Sequence, residues 1–361
     1  MFKNRINKLR EKMESKNLNA YLIINIENSS KPSSYYLTGF TGSFSIICIT
    51  QNDVKFMTDG RYIEQAQKQT GVKPIIFKNK LSEELKNLLN NLPEGSKIGF
   101  ESNTVSSNIY LKVLKTFENY EFIPAEDLVI EMRRTKSEDE VKFIKEAAII
   151  AEKALQETLD TFIVGMTEKE FAAKLEYNMK LFGADNYAFE TIVASGFRGA
   201  LPHGIASNKK IENGELVVID FGAYANGYNS DITRTIAVGK ISEKQKEIYN
   251  LVLKAQTAAI KSAKPGMRYS DLDKVARDII SENGYGEFFN HSLGHGVGLE
   301  VHESPRVSKA SDIISKPGDI ITIEPGIYLP GELGVRIEDD ILITEDGCEV
   351  LTSFDKNLII L

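Results

Sequence analysis

The chain has 361 residues, of which 42% are hydrophobic and 26% charged, with a net charge of −7. That is room for two globular domains, and the composition excludes disordered, fibrous and membrane classes. The longest apolar runs, Ile46–Thr50 and Ile320–Ile323, are strand length, far below the roughly 20 residues of a membrane helix.

The segment through Lys16 spaces Phe2, Ile6, Leu9 and Met13 three or four apart. This predicts an amphipathic helix, not the unbroken apolar core of a signal peptide, so the cytoplasm is the expected location. The only cysteines, Cys48 and Cys348, fall in β-type runs and read as buried free thiols of a reducing compartment. Four short β-rich runs follow in order, AYLII, FSIICIT, VKFMT and KIGF. Helical stretches are expected at 61–69, 81–90 and 106–117, which makes residues 1–125 an α/β sandwich. A charged connector, EMRRTKSEDE, covers the boundary, and the sequence divides into 1–125, a linker at 126–137 and a second domain at 138–361. Ser137 and Glu140 form a capping box that opens a long helix. Basic residues dominate the first third and acidic ones the remainder, which also holds all four histidines. No basic cluster interleaved with aromatics points to nucleic acid.

The second domain repeats itself. GELVVIDFG at 214–222 aligns with GDIITIEPG at 318–326, so Asp220 and Glu324 are equivalent. LPHGI at 201–205 aligns with LGHGV at 293–297, pairing His203 with His295, and GMTEKE at 165 aligns with GMRYSD at 266. Each copy reads as helix, helix, then strands, and the two are expected to face one another across a pseudo-twofold.

Each copy ends in a hairpin that gathers carboxylates. Around Asn226-Gly227, Asp220 lies either directly opposite Asp231 or diagonal to it, depending on where the turn centres. Either register puts both acids on one face. Glu324 and Glu338 pair around Gly331 in the same way. Like charges at cross-strand distance, inside otherwise apolar strands, are destabilising unless something neutralises them. Four carboxylates with His295 as a nitrogen donor suit two divalent ions sharing bridging ligands, and the oxygen-rich set favours Mn²⁺, with Co²⁺ or Zn²⁺ also able to fit.

GELVVIDFG, GYNSDITRT, HSLGHGVGLEVHE, TIEPGIY and GVRIEDD resemble the metal-ligand blocks of the pita-bread metallopeptidases, the family of aminopeptidase P, prolidase and methionine aminopeptidase. YYLTGFTGS and MTDGRYIEQA are similar to the N-terminal domain that aminopeptidase P, prolidase and creatinase share. The resemblance implies an α/β chain with a creatinase/prolidase-type domain followed by a pita-bread domain. It implies that Asp231 and Glu338 bridge two ions, that Asp220 binds one, and that His295 and Glu324 bind the other. His203 and His302 would donate hydrogen bonds to the scissile carbonyl, Glu324 would carry the proton, and Arg336 would hold the carboxylates. His291 would line a pocket for a proline ring, and Tyr328 is a further substrate-contact candidate.

The implied activity is removal of the first residue from peptides with proline in second position, by a homodimer. The segment from Ile192 to Thr235 looks more like bacterial aminopeptidase P than prolidase, so Xaa-Pro aminopeptidase is the first expectation and Xaa-Pro dipeptidase the alternative. Creatinase lacks the metal ligands, and with all five present a pita-bread binding module without chemistry is disfavoured.

Overall fold

The computed structural model describes residues 2–361, and the chain divides into two compact units between Arg133 and Arg134. The segment expected as a connector carries a helix, Asp127–Arg134.

The first unit is built on a six-stranded sheet in the order Ile75–Ile76, Val54–Thr58, Phe44–Thr50, Ala20–Ile26, Ser96–Phe100, Tyr120–Pro124. Phe44–Thr50 pairs antiparallel with both of its neighbours, and the remaining pairs are parallel. Ala20–Ile26 and Phe44–Thr50 are buried almost throughout, which is why they read as continuous apolar runs instead of alternating ones. Leu9 and Met13 anchor the helix Phe2–Ser15. The expected helices lie at Ile63–Thr70, Leu81–Leu89 and Ser107–Lys112. The helix Lys31–Thr38 and the strands Ile75–Ile76 and Tyr120–Pro124 are additional to those expected. Cys48 is buried, whereas Cys348 is only half-buried, its thiol against the carbonyl of Ile260.

The second unit contains two helix pairs, Glu138–Asp160 with Glu168–Leu181 and Glu243–Ser262 with Tyr269–Glu282. Glu140 accepts from both the backbone N–H and the hydroxyl of Ser137, so the capping box opens the first helix. A three-stranded sheet follows the first pair, in the order Ile232–Ala237, Leu216–Phe221, Ile192–Ser195. A five-stranded sheet follows the second, in the order Glu303–Val307, Gly294–Gly296, Ile320–Ile323, Asp339–Ile343, Cys348–Val350. Gly326–Leu329 and Leu333–Arg336 form a separate hairpin.

The repeat recurs in backbone detail. Gly165 and Gly266 both take positive φ, 93° and 81°, a conformation that favours glycine. Their N–H groups donate to Ile211 and Ser315. Bridges Thr167↔Lys210 and Arg268↔Ile314 tie each second helix to the segment before its strands. Each copy has its own apolar core, one including Leu155, Phe171, Val217 and Ile219, the other including Val252, Leu272, Ile321 and Ile323. No helix among the described residues is long and apolar enough to cross a membrane.

Candidate metal centre

Two hairpins bring the carboxylates to one place. Asn226 and Gly227 both have positive φ, 54° and 84°, as a tight two-residue turn of matching twist requires. Ala225 pairs with Tyr228 and Asp220 with Thr233, so the turn centres between Asn226 and Gly227 and Asp231 is the diagonal neighbour of Asp220. Gly222 faces Asp231 because nothing larger fits: a Cβ there would lie 1.9 Å from the Ser230 carbonyl oxygen. In the second hairpin the pairs Gly326↔Arg336 and Ile323↔Asp339 bracket Glu324 directly opposite Glu338.

His295 enters from the short strand Gly294–Gly296, which lies between two others. A Cβ on Gly294 would sit 2.0 Å from the Thr322 carbonyl oxygen, so the glycine permits this close approach. Nδ1 of His295 lies 3.1 Å from the Gly296 carbonyl. A carbonyl only accepts, so Nδ1 carries the proton and Nε2 offers a lone pair. That Nε2 lies 3.4 Å from Glu324 Oε1 and 3.6 Å from Asp231 Oδ2. Asp231, His295 and Glu338 offer donor atoms all within 4.8 Å of one another. Asp220 and Glu324 flank this trio, Asp220 held by the Arg336 guanidinium and Glu324 by the Thr322 hydroxyl.

The electrostatics describe buried acids that repel one another. Burial, then Glu338, Asp220, Asp340 and Glu324, push Asp231 well above the usual carboxylate range. Burial and the neighbouring carboxylates do the same to Glu338, and burial pushes Glu324 up to about 8. Burial, then the adjacent His302 ring, lowers His295 to about 4, which leaves it neutral and able to ligate. Oδ1 of Asp220 is buried without any hydrogen-bond partner. An orphaned carboxylate oxygen, mutually repelling acids and a neutral imidazole with a free lone pair are together the donor set of a divalent-cation site. The residues fit the metal.

The remaining candidates surround it. Tyr328 is buried, and its hydroxyl accepts from Arg336 at 2.8 Å and meets Nε2 of His291 at 2.9 Å. It therefore braces two other site residues. His291 also packs edge-on against Phe289 with ring centroids 5.1 Å apart, and burial lowers it to about 3. His203 and His302 are exposed, and neither ring makes a hydrogen bond among the described residues. His302 stacks at a tilt on His295, 4.1 Å between centroids.

Three contributors escaped the sequence reading. The Thr233 hydroxyl accepts from Arg336 Nε at 3.0 Å and donates to Glu338 at 2.6 Å. Asp340 accepts the backbone N–H of Asp231 at 3.0 Å. Both were findable, since Asp231 and Thr233, and Arg336, Glu338 and Asp340, alternate along their strands and so share a face. Arg306 pairs across the strands with His295, but a register shift between His295 and Gly296 hides this from any counting scheme. Arg306 also lines a cavity of about 530 Å³ with Arg277, His291, Lys309 and Ser311. Arg277 is occupied by Asp273 and two backbone carbonyls. Arg306 donates only from Nε, to Ser292.

Comparison with known proteins shows the family. Residues 142–345 match Metallopeptidase family M24, and residues 5–135 match the Creatinase/Prolidase N-terminal domain. The chain is 47% identical over 360 residues to an Xaa-Pro dipeptidase of Pyrococcus horikoshii, covering 98% of each. It is similar to the solved Xaa-Pro dipeptidase from Bacillus anthracis, with TM-score 0.94, 43% identity and complete coverage of both chains. It is equally similar in fold to the X-Pro aminopeptidase from Thermotoga maritima, with TM-score 0.93, 45% identity and 99% coverage of each. The chain belongs to metallopeptidase family M24, in its form with a creatinase/prolidase N-terminal domain.

Proposed function

We propose that this metallo-exopeptidase hydrolyses Xaa-Pro dipeptides to a free amino acid and proline, with Asp220, Asp231, His295, Glu324 and Glu338 holding two divalent ions. The observation that carries the dipeptide reading is Arg306, whose terminal nitrogens are unpaired beside His295. In a dipeptide the free carboxylate sits one residue from the scissile bond, within reach of such a guanidinium, and an arginine binds a carboxylate through two parallel hydrogen bonds. The relatives named Xaa-Pro dipeptidase, at 43–47% identity, support this over the aminopeptidase expected from sequence. The aminopeptidase reading keeps one specific support, the likeness to the Thermotoga maritima structure.

When bound, the ions supply water activated for attack near neutral pH, and four carboxylates with one imidazole favour Mn²⁺. The chain does the rest. Glu324 takes the proton of the attacking water and passes it to the proline nitrogen as the peptide bond breaks. His203 and His302, with ring N–H groups free, donate to the carbonyl oxygen as charge grows on it. His291, fixed by Tyr328 and Phe289, is the wall for the proline ring.

The test uses Mn²⁺-reconstituted protein with an Xaa-Pro dipeptide, its C-terminal amide and an Xaa-Pro-Yaa tripeptide. The dipeptide should be turned over best, and Arg306→Ala should raise its KM while leaving the tripeptide unaffected. A tripeptide cleaved faster than the dipeptide, with no effect of Arg306→Ala on either, returns the aminopeptidase reading.

A further inference from the structure

Among the described residues nothing hydrogen-bonds the ring of His203, which stands on an exposed loop, so the course of that loop sets where its side chain starts. The loop runs from the end of the strand Ile192–Ser195 through a 3₁₀ turn, Gly196–Ala200, to Ser207. Both of its ends close on one side chain. Glu168, in the first turn of the helix Glu168–Leu181, is fully buried. One of its oxygens accepts from the Ser195 backbone N–H at 2.8 Å and the Ser195 hydroxyl at 2.9 Å. The other accepts from the Ser207 backbone N–H at 3.0 Å and hydroxyl at 2.7 Å, with Arg198 Nη1 at 3.4 Å. Arg198 in turn donates to the carbonyl of Ile205, at 2.7 Å, across the loop from its own position.

A carboxylate is suited to this work because it accepts at both oxygens along about four directions, which no neutral side chain of the same shape does. The loop is clamped at residues 195 and 207 and cross-braced at 198 and 205, with His203 at its crest. A second hold, from Arg336 to the Pro202 carbonyl at 3.1 Å, comes from the metal-centre side. The sequence repeat isolates the device: the residue aligned with Glu168 is Tyr269, whose hydroxyl donates to Asp319, in the copy whose histidine is held within a strand and needs no clamp.

We propose that Glu168 is a positioning residue for His203, acting through the Ser195–Ser207 loop. The catalytic part of this rests on the reading of His203 as a donor to the substrate carbonyl. Misplacing a reacting group by about 1 Å costs on the order of 10²-fold in rate. Glu168→Gln, which keeps the shape but gives up one acceptor oxygen, should therefore lower kcat by roughly that factor with KM and metal content little changed. In a His203→Ala background the same substitution should cost nothing further.

The chain has four histidines, so ¹³C-histidine NMR of zinc-loaded protein gives four ring signals, with that of His203 assigned by its loss in His203→Ala. In Glu168→Gln the His203 signal should move while those of His291 and His295 stay. An unmoved His203 signal in folded Glu168→Gln, or a kcat loss that persists in full without His203, overturns the proposal. If the signal moves but His203→Ala itself keeps full kcat, positioning stands and the donor role of His203 fails. Ser207→Ala, which removes the hydroxyl's bond to Glu168 and the one it accepts from the Lys209 N–H but leaves the carboxylate in place, carries the same comparison should Glu168→Gln not fold.

Discussion

The two copies of the repeat place one histidine each at matching positions and use them differently. In the second copy, LGHGV becomes a strand paired on both sides, and His295 points into the carboxylates with its tautomer set by the Gly296 carbonyl. In the first copy, LPHGI is a loop with a single bridge, Ile192↔Ile205, and His203 stays exposed. The residues before the two histidines account for the difference. Gly294 lets its strand approach Thr322 too closely for any side chain. Pro202 has no N–H to give a ladder and is excluded from a central strand. One position therefore separates a histidine buried among carboxylates from one left exposed on a loop.

The largest effects should come from the ligand side of that comparison. Asp231→Asn keeps the side-chain shape but removes charge that two cations must share, and His295→Ala removes the one nitrogen donor. Both should lose activity by orders of magnitude, with bound metal, measured by atomic emission, falling in parallel. Full metal content in His295→Ala would mean that the two histidines are not differentiated as described.

His203→Ala should behave otherwise. It should keep its metal and its KM on an Xaa-Pro dipeptide but lose about 10²- to 10³-fold in kcat, the usual effect of removing one preorganised donor at a developing oxyanion. His302→Ala should resemble it. Loss of metal in either variant would move that histidine into the coordination shell.

A smaller effect is expected one layer out. Thr233 links Arg336 Nε to Glu338, accepting from one and donating to the other. Thr233→Val keeps the volume and removes both bonds, and outer partners of this kind typically contribute 10- to 100-fold in metal affinity. Titration of metal-stripped protein with Mn²⁺ should show that weakening, and an unchanged affinity would reduce Thr233 to a packing residue.

What the sequence disclosed follows from how locally each feature is encoded. The hairpins, the repeat and the alternation of acids along strands are short-range patterns, so the gathering of these carboxylates on one face was legible before any coordinates. The register of the first hairpin was left open between two choices, because the sequence alone did not say whether Asn226 takes the first or the second central position of the turn. The positive φ of both Asn226 and Gly227 decides it. Arg306 and Glu168 were invisible for another reason: their partners lie across a bulge or at the two ends of a loop, and no period in the sequence records such contacts. Arg234 was missed likewise. It is buried behind the ligand face, pairing with Asp339 and with the carbonyls of Glu338 and Phe354.

The smallest expected effect tests whether the second hairpin's turn matters to chemistry or only to stability. Gly331 has φ of 76° with no atom within 4 Å of where a Cβ would stand, so Gly331→Ala meets no steric obstacle and only backbone strain. A left-handed conformation costs a non-glycine residue about 1–2 kcal/mol. For a unit of this size that is a fall in Tm of roughly 2–4 °C per kcal/mol. The register that sets Glu324 opposite Glu338 is held by the pairs from Leu329↔Leu333 to Gly326↔Arg336 and onward to Ile323↔Asp339, not by the turn itself. The variant should therefore melt lower yet bind metal and turn over substrate as the parent does. A loss of kcat without further destabilisation would show instead that the turn helps to align the two glutamates, and that the second hairpin depends on its tip as the first depends on Asn226-Gly227.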